Sequence, residues 1–473
     1  VINLNDIITA LTTHRMAHLA VPISSVVIDS RQAQPGSLFI ALPGDRVDGH
    51  AFVSAAFEQG ASLALVHSEI PAAPRTLDLR PGHFEPDFEI LTLPLCLRVE
   101  DTLQALQALA SFWRSEHPLR TIGITGSVGK TSTKELTAAV LSTQFQVLKN
   151  PGNRNNEIGL PLTLLELSPG HEKAVLEMGF YVPGEIRTLC EIAQPHIGVV
   201  TNIGTVHAER AGSKEIIARG KAELVESLPP GPEGVAILNQ DDPWVANMAE
   251  KTRADILFYG LTDTADLYAS QVKSLGLEGL SLQLHYQGQA REVHSPMLGK
   301  FSAYTLLRAA AAALIEEMDL DQVCEALSIS RVTLRMQKNE LPNGVIILDD
   351  TYNASPASTV AALELLQDLQ GRRVAILGDM LELGQYEQEG HQKVGKTAAA
   401  AADLVILVGE RSKITAAALQ QEGFPTDRIF WYPDSVSAAR PAAEMITRGD
   451  IVLVKGSNSM HMDKITAALE GQD

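Results

Sequence analysis

The run Thr121-Ile122-Gly123-Ile124-Thr125-Gly126-Ser127-Val128-Gly129-Lys130-Thr131-Ser132 passes from β-branched residues through glycines to a lysine and two hydroxyls. Such a run suits phosphate. Gly126 and Gly129 let the amides of Ser127, Val128 and their neighbours turn toward an anion, Lys130 adds a mobile positive charge, and the Thr131 hydroxyl can hold a Mg²⁺ that bridges phosphates, with Ser132 beside it. The spacing is a compact variant of the general phosphate loop, because Ile124 stands five residues before Gly129 where a glycine is usual. An apolar strand before it and a helix-like stretch at 135–141 after it favour nucleoside triphosphate chemistry over an ordinary βα turn.

Three further clusters could serve the same chemistry. Asn150-Pro151-Gly152-Asn153-Arg154-Asn155-Asn156 packs neutral amides together ahead of a helix. Asn153, Asn155 and Asn156 suit a phosphate or peptide ligand as well as a structural turn. Glu177 ends one apolar strand, and Thr201-Asn202-Ile203-Gly204-Thr205-Val206-His207 follows another, which brings Glu177 and His207 out on the side of the sheet that carries the phosphate loop. By itself His207 reads as a loop histidine. In company with Glu177, Lys130 and Thr131 it reads as a ligand for a divalent cation beside phosphate.

These residues need a sheet to hold them. Beyond the loop, apolar strands at 174–177, 197–201 and 235–238 alternate with helices at 161–166, 185–192 and 214–228, which predicts a parallel sheet wrapped by helices. Alternation at 280–293 predicts an antiparallel addition, and the alanine-rich 301–317 a long buried helix. Ahead of the loop, 24–31 and 35–44 predict two short strands joined by a turn, 52–59 a helix, 63–66 a strand, 69–94 a surface loop and 102–113 a helix. After residue 328, strands at 345–348, 374–377, 404–408, 429–431 and 451–454 predict a doubly wound domain, with Asp349-Asp350, Gly378-Asp379 and Lys455-Gly456-Ser457 at the strand ends where ligands of such sheets sit. The fold class is thus α/β, with domains at 1–117, 118–328 and 329–473.

Composition sets bounds on partners. A chain of 473 residues, 45% hydrophobic and 20% charged, exceeds a single core and reads as globular. Its net charge of -19 argues against a nucleic-acid partner, which needs a broad basic face. Cys96, Cys190 and Cys324 have neither metal spacing nor an even count, so a reducing compartment is expected. No apolar run reaches the roughly 18–20 residues of a membrane span, and the start carries no basic-then-apolar leader. A cytoplasmic protein without membrane insertion is the expectation.

The ordered motifs T-G-S-V-G-K-T-S, N-R-N-N-E-I-G-L-P, E-M-G, T-N-I-G-T-V-H-A-E, I-I-A-R-G-K-A-E-L, D-D-T-Y-N-A, L-G-D-M-L-E-L-G and V-K-G-S closely resemble those of the Mur ligases of peptidoglycan synthesis. The N-terminal D-S-R, P-G-S-L-F-I-A-L and D-G-H extend the likeness over nearly the whole chain. Within the family, L-G-D-M-L-E-L-G and D-D-T-Y-N-A resemble the branch that adds D-alanyl-D-alanine.

The resemblance implies an N-terminal α/β domain for a UDP-sugar, a central phosphate-loop ATPase and a C-terminal Rossmann-like domain that brings the amino substrate. It implies ATP-dependent activation of the terminal carboxylate of UDP-MurNAc-tripeptide as an acyl phosphate, attacked by the amine of D-alanyl-D-alanine, in a monomer that serves cell-wall biogenesis, cell shape and division. Ser30 and Arg31 fall where relatives grip the uridine end. Arg335, Asp350, Tyr352 and Asn353 fall where they complete the ATP site. Lys221, in I-A-R-G-K-A-E, falls where the family carries a lysine carbamylated by CO₂, which would join Thr131, Glu177 and His207 around Mg²⁺.

The chain departs from the family at Phe301, Ser302 and Thr305, where a histidine and asparagines stand near adenine, and at Ser355 and Asn458, where asparagine and arginine are usual. A sister Mur-type ligase or a folylpolyglutamate-type ligase is the alternative within the same chemistry. A catalytically silent binding protein is the alternative outside it.

Overall fold

The computed structural model describes every residue except 1, 17, 45–46, 72–74, 85–91, 206–207, 333–335 and 472–473. The chain packs as two compact units. One holds Val1–Gly123, Phe145–Gly179 and Glu185–His196; the other holds Ile124–Gln144, Phe180–Gly184 and Ile197–Asp473.

In the first unit, five strands line up in the order Val26–Val27, Leu38–Ile40, Leu63–Val66, Leu95–Arg98 and Thr76–Asp78. Every pairing is parallel. The first two strands are therefore not a hairpin: the chain turns through Ser30–Gln32 and runs back before it pairs. Strand Thr76–Asp78 lies inside the stretch expected to be loop, as an edge strand too short for alternation to mark. Asp101 caps helix Thr102–Ser115 by accepting from the amides of Leu103 and Gln104. Its Leu106, Leu109 and Ala110 are fully buried. Strands Val147–Lys149 and Lys173–Glu177 also pair in parallel, with helices Gly159–Leu164 and Glu185–Ala193 beside them in sequence.

Strand Arg120–Thr125 carries the chain into the second unit. There, Ile197–Val200, Val235–Asn239 and Asp255–Gly260 run parallel, as buried β-rich segments flanked by helices should. Leu267–Ser274, Leu280–Tyr286 and Gln289–Ser295 extend the sheet as an antiparallel meander, the first of them joined in parallel to Asp255–Gly260. Helix Ser302–Ile315 has buried alanines along nearly its whole length, which lets it lie close against helix Lys130–Leu141.

The remaining sheet has the order Gln337–Glu340, Ile346–Asp350, Ile451–Lys455, Arg373–Gly378, Leu404–Val408 and Ile429–Tyr432. Its first strand is antiparallel and the rest are parallel. Separate hydrophobic clusters cover the two faces, one built on Leu363, Leu366 and Leu453, the other on Ile347, Ile376 and Val452. That is the doubly wound arrangement expected. Gln337–Glu340 was not legible because an edge strand of exposed polar residues is held by its backbone.

Candidate active site

The phosphate loop joins strand Arg120–Thr125 to helix Lys130–Leu141. Gly126 has φ +138°, and a Cβ there would lie 1.8 Å from Thr201 Oγ1, so no other residue fits without moving the next strand's end. Gly129, at φ +87°, caps the helix with no side-chain bond to its first amides. Those amides and the helix dipole are what an anion meets. The segment after strand Ile197–Val200 holds the loop in place: Ser127 N donates to Asn202 O at 2.9 Å, Val128 N to Asn202 Oδ1 at 2.9 Å, and Gly204 N to Ser127 Oγ at 2.8 Å. Lys130 Nζ folds back to donate to Gly126 O at 2.7 Å.

Lys221 reaches the same carbonyl. It lies on helix Lys214–Glu226, is 2% exposed, and donates from Nζ to Gly126 O at 3.0 Å, with the Phe180 ring 4.8 Å away. A lysine on a solvated helix face would do none of this.

A cavity of about 170 Å³ opens from the loop. Ser127, Val128, Gly129, Thr131 and Ser132 form one end; Asp350, Asn353, Ser355, Ser358 and Lys455 form a polar end; Met297, Leu298, Phe301, Met336 and Leu365 give it an apolar wall. That combination suits a nucleotide, with polyphosphate on amides and a base on apolar side chains. Asp350 and Lys455 make a buried ion pair, and Lys455 Nζ also donates to Asn353 O at 2.9 Å. Of the residues expected to complete the ATP site, Asp350 and Asn353 line this cavity. Tyr352 is 41% exposed and does not line it, and Arg335 lies outside the described residues. Lys455, named from the sequence only as part of a strand-end cluster, also lines the cavity. Its signal was a lysine at the carboxyl end of a buried strand, in V-K-G-S.

In the first unit, the asparagines divide their roles. Asn150 brackets Glu177, accepting from its N–H at 2.9 Å and donating to its C=O at 3.0 Å. Asn155 Nδ2 donates to Glu177 Oε1 at 2.8 Å, fixing a carboxylate that is 1% exposed. Asn156 accepts from Gly159 N at 2.9 Å, a structural turn into helix Gly159–Leu164, while the side chain of Asn153 is exposed.

Ser30 is 9% exposed in the turn after Val26–Val27. Arg31 extends into solvent, its guanidinium forked onto Asp29 at 3.0 and 2.7 Å, which holds that carboxyl below its ordinary range. His207 lies outside the described residues. Among the described residues no group of three or more histidine, cysteine, aspartate or glutamate side chains could hold a metal, and no helix is long and apolar enough to cross a membrane.

In the C-terminal sheet, Asp379 accepts from Ser412 N at 2.7 Å and Arg411 N at 3.2 Å, and burial pushes its carboxyl up. His391 braces the next residue: Nε2 accepts from Met380 N at 3.2 Å while Nδ1 donates to Glu387 O at 2.9 Å. Loop L-G-D-M-L-E-L-G is thereby fixed at a strand end.

Residues 22–114 match the Mur ligase family catalytic domain, 124–313 the Mur ligase middle domain, and 334–458 the Mur ligase glutamate ligase domain. A UDP-N-acetylmuramoyl-tripeptide–D-alanyl-D-alanine ligase of Bacillus subtilis (strain 168) is 35% identical over 452 residues, covering 94% of this chain and 93% of that protein. The enzyme of the same description from Escherichia coli (strain K12) is 33% identical, over 95% of this chain and 94% of its own. Among solved structures, MurF from Acinetobacter baumannii superposes with a TM-score of 0.85 at 29% identity, over 99% of this chain and 98% of that one. MurF ligase from Thermotoga maritima in complex with ADP gives 0.80 at 26% identity, over 95% and 97%. A phosphate loop of this build, with matches along the full chain, places the protein in one family: it belongs to the Mur ligases.

Proposed function

We propose that the chain is an ATP-dependent, ADP-forming ligase that joins D-alanyl-D-alanine to UDP-MurNAc-tripeptide in the synthesis of peptidoglycan precursor. What carries this reading is the correspondence, over 94% of the chain at 35% identity, with a protein of that activity. The cavity supports the chemistry: the loop residues Ser127 to Gly129, with Thr131 and Ser132, offer amides and hydroxyls to phosphates, and apolar walls suit the base, while Lys130 rests on Gly126 O beside them. Carboxylate and γ-phosphate repel, so the chain must neutralise charge and fix an in-line geometry before an acyl phosphate can form. Lys130 supplies charge there. Asn155 keeps the Glu177 carboxylate in one orientation, on a backbone that Asn150 brackets.

Mg²⁺ is the proposed cation: the Thr131 hydroxyl at the start of the loop helix is a hard oxygen of the kind it takes, and so is the Glu177 carboxylate. When bound it would supply charge to the phosphates. Lys221, as a carbamate, and His207 complete the proposed ligand set. Ser30 and Arg31 hold the UDP end. Asp350 and Asn353, with Arg335, serve the ATP side, Tyr352 at most the rim beyond the cavity, and Asn153 flanks the peptide or phosphate side next to the turn that Asn156 makes.

The boundaries 1–117, 118–328 and 329–473 are supported by three family segments that each fall inside one of them. A cytoplasmic monomer completes the reading; its three buried free thiols suit a reducing compartment. The test is phosphate release with the UDP-tripeptide and either D-alanyl-D-alanine or single amino acids. Release that depends on the dipeptide is expected. Release that depends on one amino acid would assign the chain to a sister ligase.

A further inference from the structure

Arg308 is buried where an arginine is costly. It sits in the alanine-rich helix Ser302–Ile315 and is 0% exposed. Among the described residues its guanidinium meets neutral groups: Nη2 donates to Thr305 Oγ1 at 2.9 Å, Nη1 to the Tyr259 hydroxyl at 3.5 Å, the Tyr259 ring lies 5.8 Å away, and Nε has no hydrogen-bond partner. No carboxylate of the described residues lies within ion-pairing distance of it. Asp241 and Asp242, whose charges are felt at Tyr259 as that of Arg308 is, do not bond to the guanidinium: Asp242 accepts from the amides of Ile203 and Trp244, Asp241 from Leu261 N and the Tyr304 hydroxyl. Arginine cannot shed its proton to escape such a place. An uncompensated buried charge is strongly unfavourable, so the site calls for an anion.

The geometry says where that anion comes from. A Cβ on Gly129 would lie 3.0 Å from Arg308 Nη2, so the guanidinium abuts the phosphate loop at the start of helix Lys130–Leu141. Its partner Thr305 lines the nucleotide cavity. We propose that Arg308 is a buried countercharge for the β- and γ-phosphates of the nucleotide, acting through the loop rather than by contact. This rests on the ATP-dependent reading above and deepens it. Unlike Lys130, whose Nζ is tethered to loop carbonyls by a flexible stem, Arg308 is fixed, out of reach of screening ions. It works as a binding and positioning charge.

The consequence separates it from a packing residue. Removing the charge relieves the empty protein and penalises the loaded one. The full chain and its Arg308→Met variant are compared by melting temperature without nucleotide, and by calorimetric affinity for ADP and for AMP, which lacks the β- and γ-phosphates. Arg308→Met should melt no lower than the parent, lose about tenfold or more in ADP affinity, and change less than about threefold toward AMP. Parental ADP affinity in the variant overturns the proposal, as does equal weakening toward ADP and AMP with a lowered melting temperature. If the methionine variant does not fold, Arg308→Gln, which keeps donors for Thr305 and Tyr259 without the charge, is read by the same ADP and AMP criteria. Absence of ADP binding by the parent would overturn the nucleotide reading itself, whereas an unchanged variant overturns only the countercharge.

Discussion

Replacing Lys221 by alanine tests the least ordinary feature of the site. Lys221 and Lys130 both donate to Gly126 O, at 3.0 and 2.7 Å, so their nitrogens can be no farther apart than the sum of those distances, about 5.7 Å. At that separation two ammonium charges repel by about 3 kcal/mol for an effective dielectric near 20. The proposed reaction of the neutral Lys221 amine with CO₂ would form an N–C bond, release a proton and leave an anion, turning a repulsion of about 3 kcal/mol into an attraction. Loss of that attraction corresponds to about a hundredfold in rate. Lys221→Ala should therefore turn over about a hundredfold more slowly in a phosphate-release assay with UDP-tripeptide, D-alanyl-D-alanine and Mg²⁺. Acetate or propionate should restore part of the rate by filling the space of the missing carbamate; methylamine should not. A lysine that merely neutralises phosphate predicts loss without acid rescue, since another anion adds repulsion. A folded variant that keeps parental turnover, or that acids fail to rescue, refutes the carbamate.

Lys130→Ala should leave the fold intact and remove turnover, because the charge facing the γ-phosphate is gone; near-normal phosphate release by the folded variant would contradict the loop's role. Arg31→Ala should raise the KM for the UDP-sugar peptide far more than that for ATP, with little change in melting temperature, since Arg31 is solvent-facing and, among the described residues, paired with Asp29 in its own turn; equal effects on both substrates count against a uridine site there. Burial lowers the readiness of His391 to protonate from its ordinary value of 6.5, and its bonds to Met380 N and Glu387 O require the neutral ring. A lowered folded value means that its contribution is complete above the unfolded value and fades as pH falls below it, so the parent's melting temperature should drop between about pH 7.5 and about pH 5.5 more steeply than that of His391→Gln. Equal slopes would remove His391 from the account.

What could be read in advance divides along a physical line. The strand, glycine loop and helix at 120–141 were legible because the glycines are demanded by backbone geometry, at φ +138° and +87°, and leave their mark in residue type. The parallel strands at 174–177, 197–200 and 235–238 and those of the C-terminal sheet were legible because burial on both faces selects apolar runs, whereas the partly exposed Val147–Lys149 and Asp255–Gly260, and the short Leu95–Arg98, were not. Edge strands Thr76–Asp78 and Gln337–Glu340 were not, since a strand paired along its backbone at a sheet edge need not be apolar. Side-chain destinations were the other loss. Asn155 and Asn156 are neighbours of one type, yet one grips the Glu177 carboxylate and the other accepts from Gly159 N in the turn before a helix, because successive residues in a turn point different ways. Lys221 and Arg308 are both cations on helices, and helical spacing alone cannot tell a solvent-facing position from one pressed against the phosphate loop. Only the close packing of helix Ser302–Ile315 on helix Lys130–Leu141 makes Arg308 part of a nucleotide site, and that packing depends on the alanines around it, whose small side chains bring a guanidinium up to Gly129.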